Sequence, residues 1–183
     1  MQINKVTDAL SVSPQITAED VAAIRDAGFR AIICNRPDGE GADQPNFEEI
    51  EAAARAAGLE ARYLPVTSGM VRDEDAAAFG QALMELPGPV FAYCRSGTRS
   101  ATLWSLAEAK RRPVAEILAA TKAAGYDMGG VARRIVNGGK TPTDTGDAHF
   151  GVVIVGGGAG GIAVAASLKA RQPDLDIAVI DPA

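Results

Sequence analysis

The chain has 183 residues, 47% of them hydrophobic and 22% charged, with a formal net charge of −5 at pH 7. That content can build a core and argues against disorder, and the acidic balance gives no general electrostatic reason to bind nucleic acid. Two cysteines do not make a disulfide framework, no apolar run is long enough to span a bilayer, and residues 1–10 lack the apolar segment of a secretory signal, so a cytoplasmic, reducing setting is expected.

In chain order, residues 10–13 read as a short strand. A box-like cap at Thr17 opens a helix to Ala27, which Gly28 stops. Residues 29–35 form a β-run centred on Ala31-Ile32-Ile33-Cys34, ended by the polar loop Arg36-Pro37-Asp38-Gly39-Glu40-Gly41. A second helix over 47–57 stops at Gly58, and 59–66 read as a third strand. Thr67-Ser68-Gly69 turns the chain, and Asp73-Glu74 lead a helix through Leu86. Val90, Phe91 and Tyr93 suit a buried strand after Pro89. A tight turn over 94–99 follows, then a helix over 100–111 with Ser100 as its N-cap. Helices over 113–124, with proline in the first turn, and over 129–136 close the unit. This alternation predicts an α/β fold with a mainly parallel sheet, in which ligands bind at the carboxyl ends of the strands. The loops after Asn35, Val66 and Tyr93 should therefore share one face, with Arg36-Pro37-Asp38 and Thr67-Ser68 beside Cys94.

The turn Cys94-Arg95-Ser96-Gly97-Thr98-Arg99 carries the chemistry. Gly97 frees the backbone to point amides inward, a helix starts behind it, and two arginines flank the thiol. All three favour thiolate, so Cys94 is the expected nucleophile. A merely structural cysteine would leave two arginines beside it at a desolvation cost. Cys34 is either a resolving thiol for Cys94 or a small buried apolar residue, and the second reading weighs more. Arg36 and Asp38 are either a substrate loop or an ion pair that shapes the turn. Trp104 reads as core, Lys110-Arg111-Arg112 as a solvated helix end, and His149 as a linker residue with no metal-ligand cluster around it.

Composition divides the chain into a catalytic domain over 1–138, a linker over 139–149 and a second segment over 150–183. That segment has an apolar strand, then G-x-G-x-x-G at Gly156, Gly158 and Gly161, a helix to Arg171 and a strand over 176–180. Asp181 stands about 20 residues beyond Gly161, where a ribose-binding carboxylate is expected. One βαβ unit cannot bury its sheet or enclose a dinucleotide. The expectation is a truncated Rossmann βαβ unit, the start of a flavin or nicotinamide oxidoreductase domain in a longer protein.

The stretch C-R-S-G-T-R-S at 94–100 resembles the active loop of rhodaneses, in which a loop of this size cradles a sulfane sulfur on the cysteine. Cysteine phosphatases use a similar cradle with one more residue before the arginine. Residues 33–40, 63–66 and 93–100 further resemble the phosphatase-like domain of β-lactamase hydrolase-like proteins, found fused to β-lactamase-fold persulfide dioxygenases and to sulfide:quinone oxidoreductase-like flavoproteins. Residues 152–181 resemble the start of an FAD-dependent pyridine nucleotide–disulfide oxidoreductase. These resemblances imply a three-layer, cysteine-phosphatase-like fold with Cys94, Arg99 and Asp38 as catalytic residues. Arg95, Ser96, Gly97, Thr98, Ser100 and Arg36 would bind the substrate. They imply no cofactor for the N-terminal domain, and for the full-length protein FAD or NAD(P) held by Gly156, Gly158, Gly161 and Asp181. A fused flavoprotein domain is the implied partner.

Three departures from the phosphatase pattern favour sulfur chemistry. The loop is one residue short, Thr67-Ser68 stands where dual-specificity phosphatases place an aspartic acid, and Tyr93 stands where they place a histidine. The leading expectation is therefore a rhodanese-like sulfurtransferase. Its Cys94 takes sulfur from thiosulfate or a persulfide and hands it to a thiol such as glutathione, with no proton needed by the leaving group. The alternative is a cysteine-dependent tyrosine or dual-specificity-like phosphatase with Asp38 as its acid. A third reading is a non-catalytic anion- or persulfide-sensing module.

Overall fold

The computed structural model describes residues 1–42, 44–143, 152–156 and 158–180, which fall in two compact units, Met1–Pro142 and Thr143–Ala183. In the first, strands β1 (Asn4–Lys5), β2 (Leu10–Ser13), β3 (Ala31–Cys34), β4 (Glu60–Tyr63) and β5 (Val90–Tyr93) form one sheet in the order β1-β2-β5-β3-β4. All neighbours are parallel except β1 and β2.

Strand periodicity sorts the core. Successive side chains point to opposite faces, so Ile32, Cys34, Phe91 and Tyr93 join one apolar cluster and Ala31, Ile33, Val90 and Ala92 the other. Helices α1 (Asp20–Asp26) and α2 (Phe47–Ala56) supply Val21, Ile24, Ile50 and Ala54 to the first cluster. The second takes Phe79 from α3 (Asp73–Glu85), Leu103 and Trp104 from α4 (Thr98–Glu108), Ile117 from α5 (Val114–Ala123) and Ile135 from α6 (Ala132–Val136). The result is the expected α/β fold in three layers with a mostly parallel sheet. Ser13, Cys34, Tyr63 and Tyr93 end their strands in register, which brings the loops that follow them to one edge.

Several boundaries differ from the sequence reading. The strand expected over 59–66 spans only 60–63: the Leu64 amide still donates to the Cys34 carbonyl, but the Val66 amide donates to that of Asn35, one residue out of the even spacing of the ladder, so the regular pairing ends there. The first helix begins at Asp20, whose carboxylate accepts the Thr17 amide and holds residues 17–19 in a preceding turn. Helix α4 begins at Thr98, so Ser100 is not its N-cap. Gly97, at φ +89°, occupies that position, a conformation that costs glycine little and other residues much. The strand β1 had no signal in the sequence pattern.

The second unit has strands β6 (Val152–Val155) and β7 (Ile177–Ile180), parallel, with helix α7 (Ala159–Arg171) between them. A Cβ at Gly161 would collide with the Gly156 carbonyl, so the turn requires a glycine there. Val155 and Ile162 are exposed. Asp181 lies outside the described residues. No helix among the described residues is long and apolar enough to cross a membrane.

Candidate active site

Cys94 lies just past β5, where its amide donates to the Ser13 carbonyl (3.3 Å) and its side chain is buried. The chain then turns back, and the Gly97 N–H donates to Cys94 Sγ at 3.1 Å. The thiol sits at the wall of a cavity of about 540 Å³. Arg95 and Arg99 line it from the loop and α4, Ser68 and Val71 from the turn after β4, and Arg134 from α6.

Arg99 is held from three sides. Its Nη1 donates to the carbonyls of Asn35 (3.1 Å) and Val66 (2.6 Å), and its Nη2 donates to Glu40 Oε1 (2.8 Å). A guanidinium has five donors. Among the described residues three are used, which leaves Nε–H and one Nη2–H. These two lie along one edge of the fork, the pair that grips two oxygens of an oxyanion. The side chain is only 7% exposed, so this edge is aimed by its surroundings.

Glu40 is the keystone of that arrangement. Its other oxygen, Oε2, accepts from Arg36 Nε at 2.8 Å, and Arg36 Nη1 donates to Gln15 Oε1 at 2.9 Å. Partial burial pushes the Glu40 carboxyl up, but hydrogen bonds and charge from Arg36 and Arg99 outweigh it and hold the group below its ordinary value. Arg36 therefore does not line the Cys94 cavity. Its task is to orient the carboxylate that orients Arg99.

Asp38 is also elsewhere. Its Oδ1 accepts the Phe47 amide at the start of α2 (2.8 Å), and its own amide donates to Tyr63 Oη (2.7 Å). It is exposed, does not line the cavity, and acts as a helix-start acceptor. Asp38→Asn keeps that acceptor, so kcat/KM of a Cys94-dependent reaction is expected to stay within about twofold and its pH profile to keep its shape. Loss of the basic limb in the variant would restore Asp38 as a proton donor.

Ser100 is buried and donates to Asn35 Oδ1 at 2.8 Å, bracing α4 against β3 rather than meeting a ligand. Ser96 Oγ donates to Thr98 Oγ1 at 3.1 Å, and both residues line the cavity. Cys34 belongs to the opposite face of the sheet, packed with Tyr93. Burial pushes its thiol up to about 11, which contacts with Tyr93 and the Arg36 carbonyl only partly offset. That is the environment of an inert apolar residue. Among the described residues no group of metal-ligating side chains forms.

The sequence reading missed Asn35, Tyr126, Asn4 and Arg134. Asn35 donates to the Leu64 carbonyl while taking the Ser100 hydroxyl, which ties β3, β4 and α4 together. Tyr126 Oη donates to the Ser96 carbonyl (3.3 Å) and accepts from Asn4 Nδ2 (2.6 Å). Arg134 donates to the Val71 carbonyl and to Asp73 Oδ1, at 2.6 and 2.7 Å. None follows a spacing rule.

A three-layer α/β domain with a cysteine-to-arginine turn between strand and helix defines a cysteine-phosphatase-like protein. The solved structure of Tk-PTP in its active form shares this fold, with a TM-score of 0.57 at 14% identity over 74% of this chain and 93% of its own. Residues 2–111 match the family described as beta-lactamase hydrolase-like protein, phosphatase-like domain, and the chain belongs to that family. A candidate phosphatase from Neisseria meningitidis Z2491 is 37% identical, with a TM-score of 0.68, over 75% of this chain and 99% of its own. The beta-lactamase hydrolase-like protein of Agrobacterium fabrum is 38% identical over 109 residues, 60% of this chain and 25% of its own. The chain thus spans about a quarter of that relative's length. These findings favour the phosphatase alternative over the leading expectation of sulfur transfer, and the family match does not extend to the flavoprotein resemblance at 152–181.

Proposed function

We propose that the unit over 1–142 is a cysteine-dependent phosphatase. The observation that carries this reading is the spare Nε/Nη2 edge of Arg99, fixed by Glu40 and two carbonyls in the cavity that holds Cys94. The Cys94 thiolate attacks the phosphorus of a bound monoester or anhydride. Arg99 holds the oxygens on which charge builds, while the Gly97 amide supports the Cys94 sulfur. The leaving group departs with its bonding pair, and water then releases phosphate from the sulfur and restores the thiolate.

Sulfur transfer is the second reading, supported by the short turn and by the position of Asp38 outside the cavity. The two readings separate in one experiment. The purified protein is assayed for phosphate release from p-nitrophenyl phosphate and, in parallel, weighed by intact mass spectrometry after exposure to thiosulfate or glutathione persulfide. Phosphate release without a sulfur adduct is expected. A stable one-sulfur adduct with no phosphate release would reverse the order of the two.

For residues 152–180 we read a dinucleotide-binding type of turn, the opening of a flavin- or nicotinamide-dependent domain. The parallel β6–α7–β7 arrangement and the Gly156–Gly161 approach fit such a group, with open space where side chains would stand at Gly158 and Gly160 by the α7 N-terminus. A fused oxidoreductase that makes persulfides would suit sulfur transfer at Cys94.

A further inference from the structure

The cavity beside Cys94 contains three arginines and, among its described lining residues, no carboxylate and no imidazole. A phosphatase that cleaves an alkyl or aryl ester normally protonates the departing oxygen, because an alkoxide or a phenolate (phenol near pKa ~10) is a poor leaving group. Among the described residues, the carboxylates of Glu40, Asp38 and Asp73 are each engaged. Glu40 is bonded to Arg99 and Arg36. Asp38 is bonded to the Phe47 amide. Asp73 accepts from the Thr141 amide and hydroxyl and from Arg134. Those contacts, the Thr141 amide foremost, hold the Asp73 carboxyl below its ordinary value, as the arginines do for Glu40. Neither Glu40 nor Asp73 stands as an acid at neutral pH, and Asp38 lies outside the cavity.

The cations are in surplus by contrast. Arg99 suffices for the transferred group. Arg95 is exposed and has no side-chain hydrogen bond or ion pair among the described residues. Arg134 lines the same cavity, largely buried and paired with Asp73, and among the described residues its buried Nε has no partner. A site that lacks a proton donor and adds positive charge fits a leaving group that departs as an anion without help and is itself multiply charged.

We infer that the substrates of this site are phosphoric anhydrides, compounds in which a terminal phosphoryl group is joined to a second phosphate. The inference rests on the phosphatase reading. The Cys94 sulfur–phosphorus bond forms as the bond from phosphorus to the bridging oxygen breaks. That oxygen leaves with the bonding pair as part of the second phosphate, which departs as a dianion when it is a monoester or, in inorganic pyrophosphate, carries its own proton. The ionisation that yields such a dianion lies near pKa ~6 and needs no enzyme-bound acid. Arg95 and Arg134 hold this second phosphate before and after the bond breaks. Water then attacks phosphorus, sulfur leaves as thiolate, and the proton from water goes to the released phosphate. One water is consumed per anhydride bond, and nothing is oxidised or reduced.

The test compares p-nitrophenyl phosphate, phenyl phosphate and inorganic pyrophosphate on the whole chain, with Arg95→Ala and Arg134→Ala beside the wild type. Without an enzyme acid, kcat/KM for phenyl phosphate should fall at least ~100-fold below that for p-nitrophenyl phosphate, and pyrophosphate should be cleaved better than phenyl phosphate. Each arginine variant should lose at least ~10-fold more on pyrophosphate than on p-nitrophenyl phosphate. Arg95→Ala carries the comparison if Arg134→Ala loosens the fold, which thermal melting reports. Equal rates on the two aryl esters would overturn the inference and leave the phosphatase reading standing, and so would failure to cleave pyrophosphate while the nitrophenyl ester is cleaved. Absence of phosphate release from all three would overturn the phosphatase reading itself.

Discussion

Cys94→Ser will lower turnover by roughly 10⁴-fold or more, the scale seen when a covalent nucleophile is removed, while the variant still binds inorganic phosphate. The serine oxygen is smaller than sulfur and still accepts the Gly97 N–H that now reaches Sγ at 3.1 Å, so the turn keeps its closing hydrogen bond. Arg99 is untouched, because its partners come from Asn35, Val66 and Glu40 and none from Cys94. What disappears is the sulfur nucleophile, since a hydroxyl has no neighbouring base among the described residues to ionise it. Calorimetric binding of phosphate, thermal melting and kcat on p-nitrophenyl phosphate separate the effects. Retained turnover in the variant would remove Cys94 from the chemistry. Loss of both binding and turnover would mean that the thiolate itself organises the anion site.

Gly97→Ala is expected to be the most damaging change outside the nucleophile. The residue has φ +89°, which costs an L side chain about 1–2 kcal/mol. A Cβ there would overlap Tyr126 Oη and stand 2.8 Å from Cζ, and relief of such overpacking costs about 1–3 kcal/mol more. The loop would have to move away from the Tyr126 ring, taking the amide off Cys94 Sγ. A displacement on the order of 1 Å costs about 100-fold in kcat/KM. Denaturant melts and kinetics of the single variant, and of the double variant with Tyr126→Ala, divide the loss. The double variant should recover the part due to overlap and keep the part due to the backbone. An alanine variant as active and as stable as the wild type would show that Tyr126 does not abut the loop.

The fold was legible because its signals are local. Val90-Phe91-Ala92-Tyr93 states its own strand, and the alternation that sends Phe91 and Tyr93 to one cluster and Val90 and Ala92 to the other is a two-residue repeat. The Cys94 turn was legible for the same reason. The supports of the turn were not. Glu40 reaches Arg99, and Asn4 reaches Tyr126, across long separations that only the closed sheet brings together. Asp38 looked like an acid because loop carboxylates often are, but the nearby Phe47 amide claims it. Ser100 looked like a cap because serine caps well, but the glycine before Thr98 lets the helix start earlier. Loop length pointed to sulfur and kinship points to phosphate. A turn of amides and arginine recognises charge, and the residue count alone does not say which element carries it.

Asn4, at the first strand, holds the hydroxyl of Tyr126, which in turn holds the Ser96 carbonyl inside the cysteine turn. The two ends of the unit are thus clasped around its reactive centre like the halves of a buckle. An affinity tag threaded through β1, or a boundary drawn before Tyr126, is then an alteration of the reactive centre, even though neither comes near the sulfur in sequence. The working enzyme is a property of the whole closed unit, and cutting it into smaller modules discards the geometry that makes the thiol useful.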